Sequence, residues 1–195
     1  VEINASHAAR GVESDCPFCR AGLASHCPDR LVLGIHDLPG GFGPYLLAPV
    51  GAIVAVPASI PDDVALLVEP FAAALHAADR IAPRTGERIA VLGPRRLGLL
   101  VVAALAARRR ASGVRFHLEA FSRRDALCER ALRMGADTAG PPPAAGGGPR
   151  ADVVVDTTGS PDGLALALAL ARRAVHVKST HGRPSGGLSE TTALV

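Results

Sequence analysis

From Glu87 to Arg110 the chain reads ERIAVLGPRRLGLLVVAALAARRR, and this stretch decides the fold. A short apolar run, Ile89 to Leu92, meets a glycine turn and then a long apolar helical run. That is the strand–turn–helix that opens a dinucleotide-binding βαβ unit. The helix start offers unpaired N–H groups and a partial positive charge to a pyrophosphate. The pattern asks for three glycines, and two are in place. Gly93 suits the tight turn, and Gly98 lets helix and strand pack closely. Arg95 stands at the middle position, where bare backbone would approach the phosphates, with Leu97 two residues on. Its guanidinium could instead bind a phosphate directly.

Outward from this element, strand and helix alternate. Val114 to Phe121 reads as a strand and Asp125 to Met134 as a helix, on which Leu127, Cys128, Ala131 and Leu132 share a face. Cys128 is therefore expected in the core and not as a nucleophile. Gly140 to Gly148, GPPPAAGGG, reads as a loop. Ala151 to Thr157 is apolar enough for a strand covered on both faces. Ser160-Pro161 caps a helix expected over Asp162 to Arg173, and Ala174 to Ser179 is one more strand. This alternation predicts a doubly wound, mostly parallel Rossmann-type sheet.

The upstream part is different. Val1 to Ile3 reads as the tail of a strand, Leu31 to Ile35 as another, and Tyr45 to Leu47 with Val50 to Val56 as a β-rich continuation. Pro61-Asp62-Asp63 opens a helix, and Glu69-Pro70 lies within that region, with His76 seven residues after Glu69. Three cysteines cluster as Cys16-x-x-Cys19 and Cys27. A tight turn can point both sulfurs of C-x-x-C at one ion, so the loop suits a thiolate zinc site. Such a site wants four ligands. Glu13 stands three residues before Cys16, Asp15 adjoins it, and His7 and His26 are near in sequence, so a carboxylate or an imidazole could complete the set.

Bulk composition removes other classes. Aromatics make up 3% of the chain with no Trp, which disfavours a stacking platform for nucleic acid. The net charge of +3 is small, and its clusters, Arg108 to Arg110 and Arg123-Arg124, read as solvated helix ends, so no nucleic-acid partner is expected. No apolar run suits a membrane span, and no secretory leader is visible. Clustered cysteines without a leader point to metal before disulfide and to a cytoplasmic setting.

The cysteine loop, GGFGPYL, EPFAAALHA, VLGPRRLGLL and VVVDTTGSP stand in an order that resembles the zinc-dependent alcohol dehydrogenases of the medium-chain dehydrogenase/reductase superfamily. The threonine/sorbitol dehydrogenase-like branch is the nearest in look. The resemblance implies part of a β-rich GroES-like catalytic domain over residues 1–82 and a Rossmann domain over 83–195. It implies that the chain is the middle of a longer homo-oligomeric enzyme. In that enzyme zinc polarises a small alcohol or polyol, and NAD or NADP takes the hydride. By the family pattern Cys16, Cys19 and Cys27 match three ligands of the structural zinc, with Glu13 in place of the first, and His7 to Val12 look inserted. Glu69 matches the glutamate beside the catalytic zinc. Gly93, Arg95, Leu97 and Gly98 fall at the cofactor turn. The end of the second strand holds Ser122, Arg123 and Arg124 with no acid, which suits the 2′-phosphate of NADP over NAD. The rival reading is a degenerate, non-catalytic relative serving as a nucleotide-binding or interaction scaffold.

Overall fold

A computed structural model describes residues 4–144 and 147–179. The chain divides into two compact units, Val1–Leu66 and Leu67–Val195.

In the first unit, β1 (Asn4–Ala5) pairs antiparallel with β2 (Leu31–Leu33), which pairs in parallel with β3 (Asp37–Leu38). Between β1 and β2 lies the short helix α1 (Pro17–Arg20), and α2 (Asp62–Ala65) closes the unit. The expected residues Val1 to Ile3 lie outside the described part. The β-rich expectation for Tyr45 to Leu47 and Val50 to Val56 is corrected. Val50–Ala52 is a 3₁₀ turn, and Tyr45, Leu47 and Val50 are largely exposed. A strand needs a ladder partner for its N–H and C=O groups, and no described residue supplies one there.

The second unit is built on a parallel sheet. Its strands are β4 (Arg88–Leu92), β5 (His117–Phe121), β6 (Thr138–Gly140), β7 (Ala151–Asp156) and β8 (Ala171–Val177). Among the described residues they run in the order β6-β5-β4-β7-β8, all neighbours parallel. This is the doubly wound order, and it places the switch point between β4 and β7. The helices are α3 (Val68–Ile81), α4 (Arg96–Ser112), α5 (Asp125–Arg133) and α6 (Pro161–Leu170).

Side chains alternate along the strands, so the two faces bury different sets. Ile89, Val91, Val153 and Val155 pack with Val101, Val102 and Leu105 of α4 and with Ala74, Ala78 and Ile81 of α3. On the other face Ala90, Leu92 and Val154 pack with Ala167 and Leu170 of α6. Helix α3 thus shares the sheet's core, and the compact units divide before it, earlier than the expected 82/83 boundary. Cys128 is buried as expected, and Leu132 on the same helix is exposed. No helix among the described residues is long and apolar enough to cross a membrane.

Two further expectations are corrected. Strand β6 was not expected and takes in Gly140, the first residue of the expected loop, because Thr138–Gly140 pairs with Glu119–Phe121 although its own sequence is only weakly β-forming. Helix α6 ends at Leu170, not Arg173, and β8 starts at the next residue. No Gly or Pro marks this boundary, and tertiary pairing sets it instead. Ala171 registers with Ala151, Arg172 reaches Asp152 (3.7 Å) and Arg173 reaches Glu87 (2.8 Å).

The arginine cluster at the end of α4 is also less solvated than its sequence suggests. Arg108 pairs with Asp79 of α3 at 3.2 Å. Arg109 lies over the Phe116 ring, donates to the carbonyls of Phe116 and Gly135, and pairs with Asp137. Asp137 also accepts from the Leu118 backbone N–H at 2.8 Å. Burial pushes this carboxyl's pKa up, but the hydrogen bonds from Arg109 and Leu118 outweigh it and hold the group below its ordinary value. A carboxyl depressed by folding stabilises the fold above its unfolded pKa, and that contribution is lost as pH falls through the folded value. Asp137→Ala is expected to cost about 1–3 kcal/mol at neutral pH, because the Leu118 amide loses its acceptor. Urea unfolding should show the gap between variant and wild type shrinking once pH falls below about 4. A gap that stays constant with pH would assign the loss to packing alone.

Candidate functional site

The carboxyl ends of β4, β5 and β7 converge on a pocket of about 310 Å³. Gly93, just after β4, has φ +72°, a conformation side chains resist, and turns the chain into α4. A Cβ at Gly98 would stand 2.5 Å from Thr157 Oγ1 and 2.8 Å from the Gly93 carbonyl, so only glycine lets α4 pack this close. Thr157 Oγ1 donates to the carbonyls of Leu92 and Gly93 at 2.7 and 2.8 Å, which ties the end of β7 to the turn.

Two of the helices that begin at the pocket, α6 and α4, differ in their caps. Ser160 caps α6, its Oγ accepting from the Gly163 N–H at 3.1 Å. Arg95 at the start of α4 provides no side-chain cap, so the first-turn amides stay open to an anion. Arg95 itself is exposed and lines the pocket together with Gly93. The backbone cradle and the open helix start fit a dinucleotide pyrophosphate.

Beyond β5, Ser122, Arg123 and Arg124 also line the pocket. The Arg124 N–H donates to Ser122 Oγ at 3.1 Å, and the buried Cys128 thiol donates to the Ser122 carbonyl at 3.4 Å. The loop is thus pinned from behind while its two guanidinium groups are exposed. Leu97 is different: it packs against the core and does not line the pocket. Sequence reading missed Thr158, Ser160 and Asp162, which complete the wall from the far side of the switch point. Asp162 is the one acid in the lining, and it comes from α6, not from the end of β5. Ser160-Pro161 signalled a helix start, but not which helix starts meet.

The cysteine lobe forms a second centre, in the first unit. Helix α1 is a single turn with Pro17 at its start, which brings Cys16 and Cys19 to one side, and a 3₁₀ turn at Ala24–His26 returns Cys27. All three thiols are free, and Cys27 is fully buried. One ligand atom from each of His7, Cys16, Cys19 and Cys27 lies within 4.8 Å of the others. Burial pushes the Cys19 thiol up to about 11, while the backbone hydrogen bond from Cys19 lowers Cys16. Three thiols and an imidazole at this separation fit a tetrahedral zinc. Glu13 is exposed and outside the group, so the structure brings His7 where sequence reading put Glu13. Glu69 is exposed in the first turn of α3 and stands in no such group among the described residues, and His76 is exposed on the same helix.

No family model matches the chain. Among curated proteins it is 39% identical over 84 residues to L-galactonate-5-dehydrogenase of Escherichia coli (strain K12), covering 43% of this chain and 24% of that protein. It is 34% identical over 89 residues to sorbitol dehydrogenase of Bacillus subtilis (strain 168), covering 46% of this chain and 25% of that protein. Among solved structures, a protein described as a short chain alcohol dehydrogenase (rspB) from E. coli CFT073, complexed with cofactor NADH, superimposes with a TM-score of 0.75. Its identity is 26%, over 88% of this chain and 52% of that one. The matched stretch spans about a quarter of the curated relatives, and the fold about half of the solved one. The likeness to alcohol and polyol dehydrogenases, and the Rossmann-type sheet, are borne out.

Gly98→Ala tests the turn. It is expected to lower unfolding stability by about 1–3 kcal/mol through overpacking against Thr157. Gly113→Ala at the far end of α4 serves as comparison; Gly113 has open space around it but a φ of +71°, so only conformational strain should act there. Restoring room with Gly98→Ala/Thr157→Ser would not relieve the clash, because the same oxygen remains. Denaturant unfolding of the three variants checks this ordering.

Proposed function

We propose that this chain provides the dinucleotide-binding unit and the metal-bound lobe of a zinc-containing, NAD(P)-dependent alcohol or polyol dehydrogenase. The observation that carries this reading is the pocket at the β4/β7 switch point. Its glycine turn, open helix start and paired arginines answer, in order, to the parts of a nicotinamide dinucleotide. The known relatives act on polyhydroxylated or simple alcohols by name, in keeping with that site.

The cofactor supplies a hydride acceptor and a catalytic zinc supplies Lewis acidity toward the alcohol oxygen. This chain's residues bind and orient. Gly93 and Gly98 admit the pyrophosphate to the α4 amides, and Arg95 adds a cation at that helix start. Ser122, Arg123 and Arg124 receive the adenosine ribose, and the two guanidinium groups favour a 2′-phosphate, hence NADP over NAD. Glu69 serves beside the catalytic zinc, as ligand or immediate neighbour. The cysteine lobe holds its zinc for stability, not chemistry. The whole enzyme acts on small-molecule alcohols as a cytoplasmic homo-oligomer, without nucleic acid or membrane.

Two of the features that favour the non-catalytic alternative are Glu13 and Arg95. His7 joins the cysteine group where Glu13 does not, and Arg95 lines the pocket as an exposed cation, which suits an anionic ligand.

Fluorescence titration of the purified chain separates the cofactors. NADPH is expected to bind more tightly than NADH. Arg123→Ala/Arg124→Ala should weaken NADPH by about tenfold or more, as loss of a charge-assisted hydrogen bond worth ~1.5–3 kcal/mol implies, and leave NADH nearly unchanged. Tighter NADH binding by the wild type would remove the NADP assignment. Binding of neither would remove the dinucleotide reading.

A further inference from the structure

We infer that His7, through Nδ1, is the fourth ligand of a Cys₃His zinc centre in the lobe, and that Asp29 positions its ring. This rests on the zinc reading above and specifies the side chain that completes the site.

The sequence offers four candidates for the fourth ligand, and geometry separates them. Glu13 and Asp15 are exposed and outside the group. His26 is exposed, its ring stacked on Phe18 with centroids 6.2 Å apart and its Nδ1 3.2 Å from Ser25 Oγ. His7 alone of the four is turned inward, its side chain 12% accessible. Its Nδ1 lies 3.3 Å from Cys27 Sγ and 3.6 Å from Cys19 Sγ. With Zn–S near 2.3 Å and Zn–N near 2.0–2.1 Å, a tetrahedral site requires an N···S edge of ~3.5 Å. Both distances meet it. A thiol hydrogen-bonded to imidazole would need only one sulfur on the nitrogen's single lone pair. Two sulfurs flanking the same atom is the arrangement of a shared centre.

The other ring nitrogen shows why Nδ1 is the donor atom. Nε2 lies 3.5 Å from Asp29 Oδ2. A negative charge on that side favours the tautomer with hydrogen on Nε2, which leaves the Nδ1 lone pair facing the sulfurs. Asp29 is two residues beyond Cys27, so one loop carries both a ligand and the group that orients another. Arg10 clamps the two turns together. Its Nη2 donates to the Asp29 carbonyl at 2.8 Å and its Nε to the Ser6 carbonyl at 3.4 Å. The segment that departs from the expected cysteine spacing thus returns the missing ligand from further upstream.

X-ray absorption on the zinc-loaded chain tests the ligand without any substitution. Three sulfurs and one nitrogen, with imidazole multiple scattering, are expected. A shell of three sulfurs and one oxygen would overturn the role of His7 while leaving zinc in the lobe. No zinc uptake by the folded chain would overturn both this inference and the metal part of the proposed function. Chelator competition adds the variants: His7→Ala should lose most of the affinity and Glu13→Ala none. His7→Cys should retain metal and, loaded with cobalt, show stronger thiolate charge-transfer absorption. The reverse pattern for His7 and Glu13 would sink the assignment. Asp29→Ala should weaken zinc by about 10–100-fold with the sulfur and nitrogen shell intact, and should move the Nε2–H resonance of His7. An unmoved affinity and resonance would show that Asp29 does not position the ring.

Discussion

Much of the second unit depends on one close approach, between the turn after β4 and the end of β7. The Thr157 hydroxyl is shared between the carbonyls of Leu92 and Gly93, and Gly98 brings the first turn of α4 against that same oxygen. These contacts join the two central strands where the strand order reverses, so the crevice is held open by hydrogen bonds within its floor. The same contacts leave the α4 amides facing outward, since the groups nearest them already have partners. Pinning and exposure come from one arrangement.

The cysteine lobe solves the opposite problem. Among its described residues the unit has three short strands and few large buried side chains, so little apolar burial is available to fix the loop between β1 and β2. A four-ligand centre fixes such a loop with bonds instead of burial, because metal-binding free energy is folding free energy when the site does not exist in the unfolded chain. The lobe's hydrogen bonds are mostly within turns, and the residues that tie one turn to another, Arg10 and His7, both lead to Asp29. Order in the lobe is therefore local.

The two units were legible in the sequence to different degrees. Strand β4, helix α4 and strand β7 are strongly periodic or continuously apolar, and each was readable from its own residues. What failed were boundaries set by pairing: Thr138–Gly140 is a strand only because Glu119–Phe121 lies beside it, and α6 stops at Leu170 because Ala171 is already opposite Ala151. At the pocket, Gly93, Arg95 and the Ser122–Arg124 loop were readable because they follow directly on strands. Thr158 and Asp162 were not, since their place in the wall depends on strand order, which no local pattern encodes. His7 was visible only as a nearby imidazole. Its distance in sequence from Cys16 breaks the usual ligand spacing, and the turn that brings it back is made by Ser6 and Arg10.

The direct passage from α6 into β8 has a consequence for how this sequence can change in length. With no loop between Leu170 and Ala171, no neutral place exists to add or remove a residue. One residue inserted there would turn every following side chain of β8 to the opposite face of the sheet. The ladder already contains one such adjustment, the irregularity between Ala151 and Val153 opposite Ala171 and Ala174, which lets Arg172 and Arg173 reach Asp152 and Glu87. Variation in length among sequences sharing this fold should therefore gather elsewhere, in the proline- and glycine-rich link between β6 and β7. The α6–β8 junction should keep a constant count.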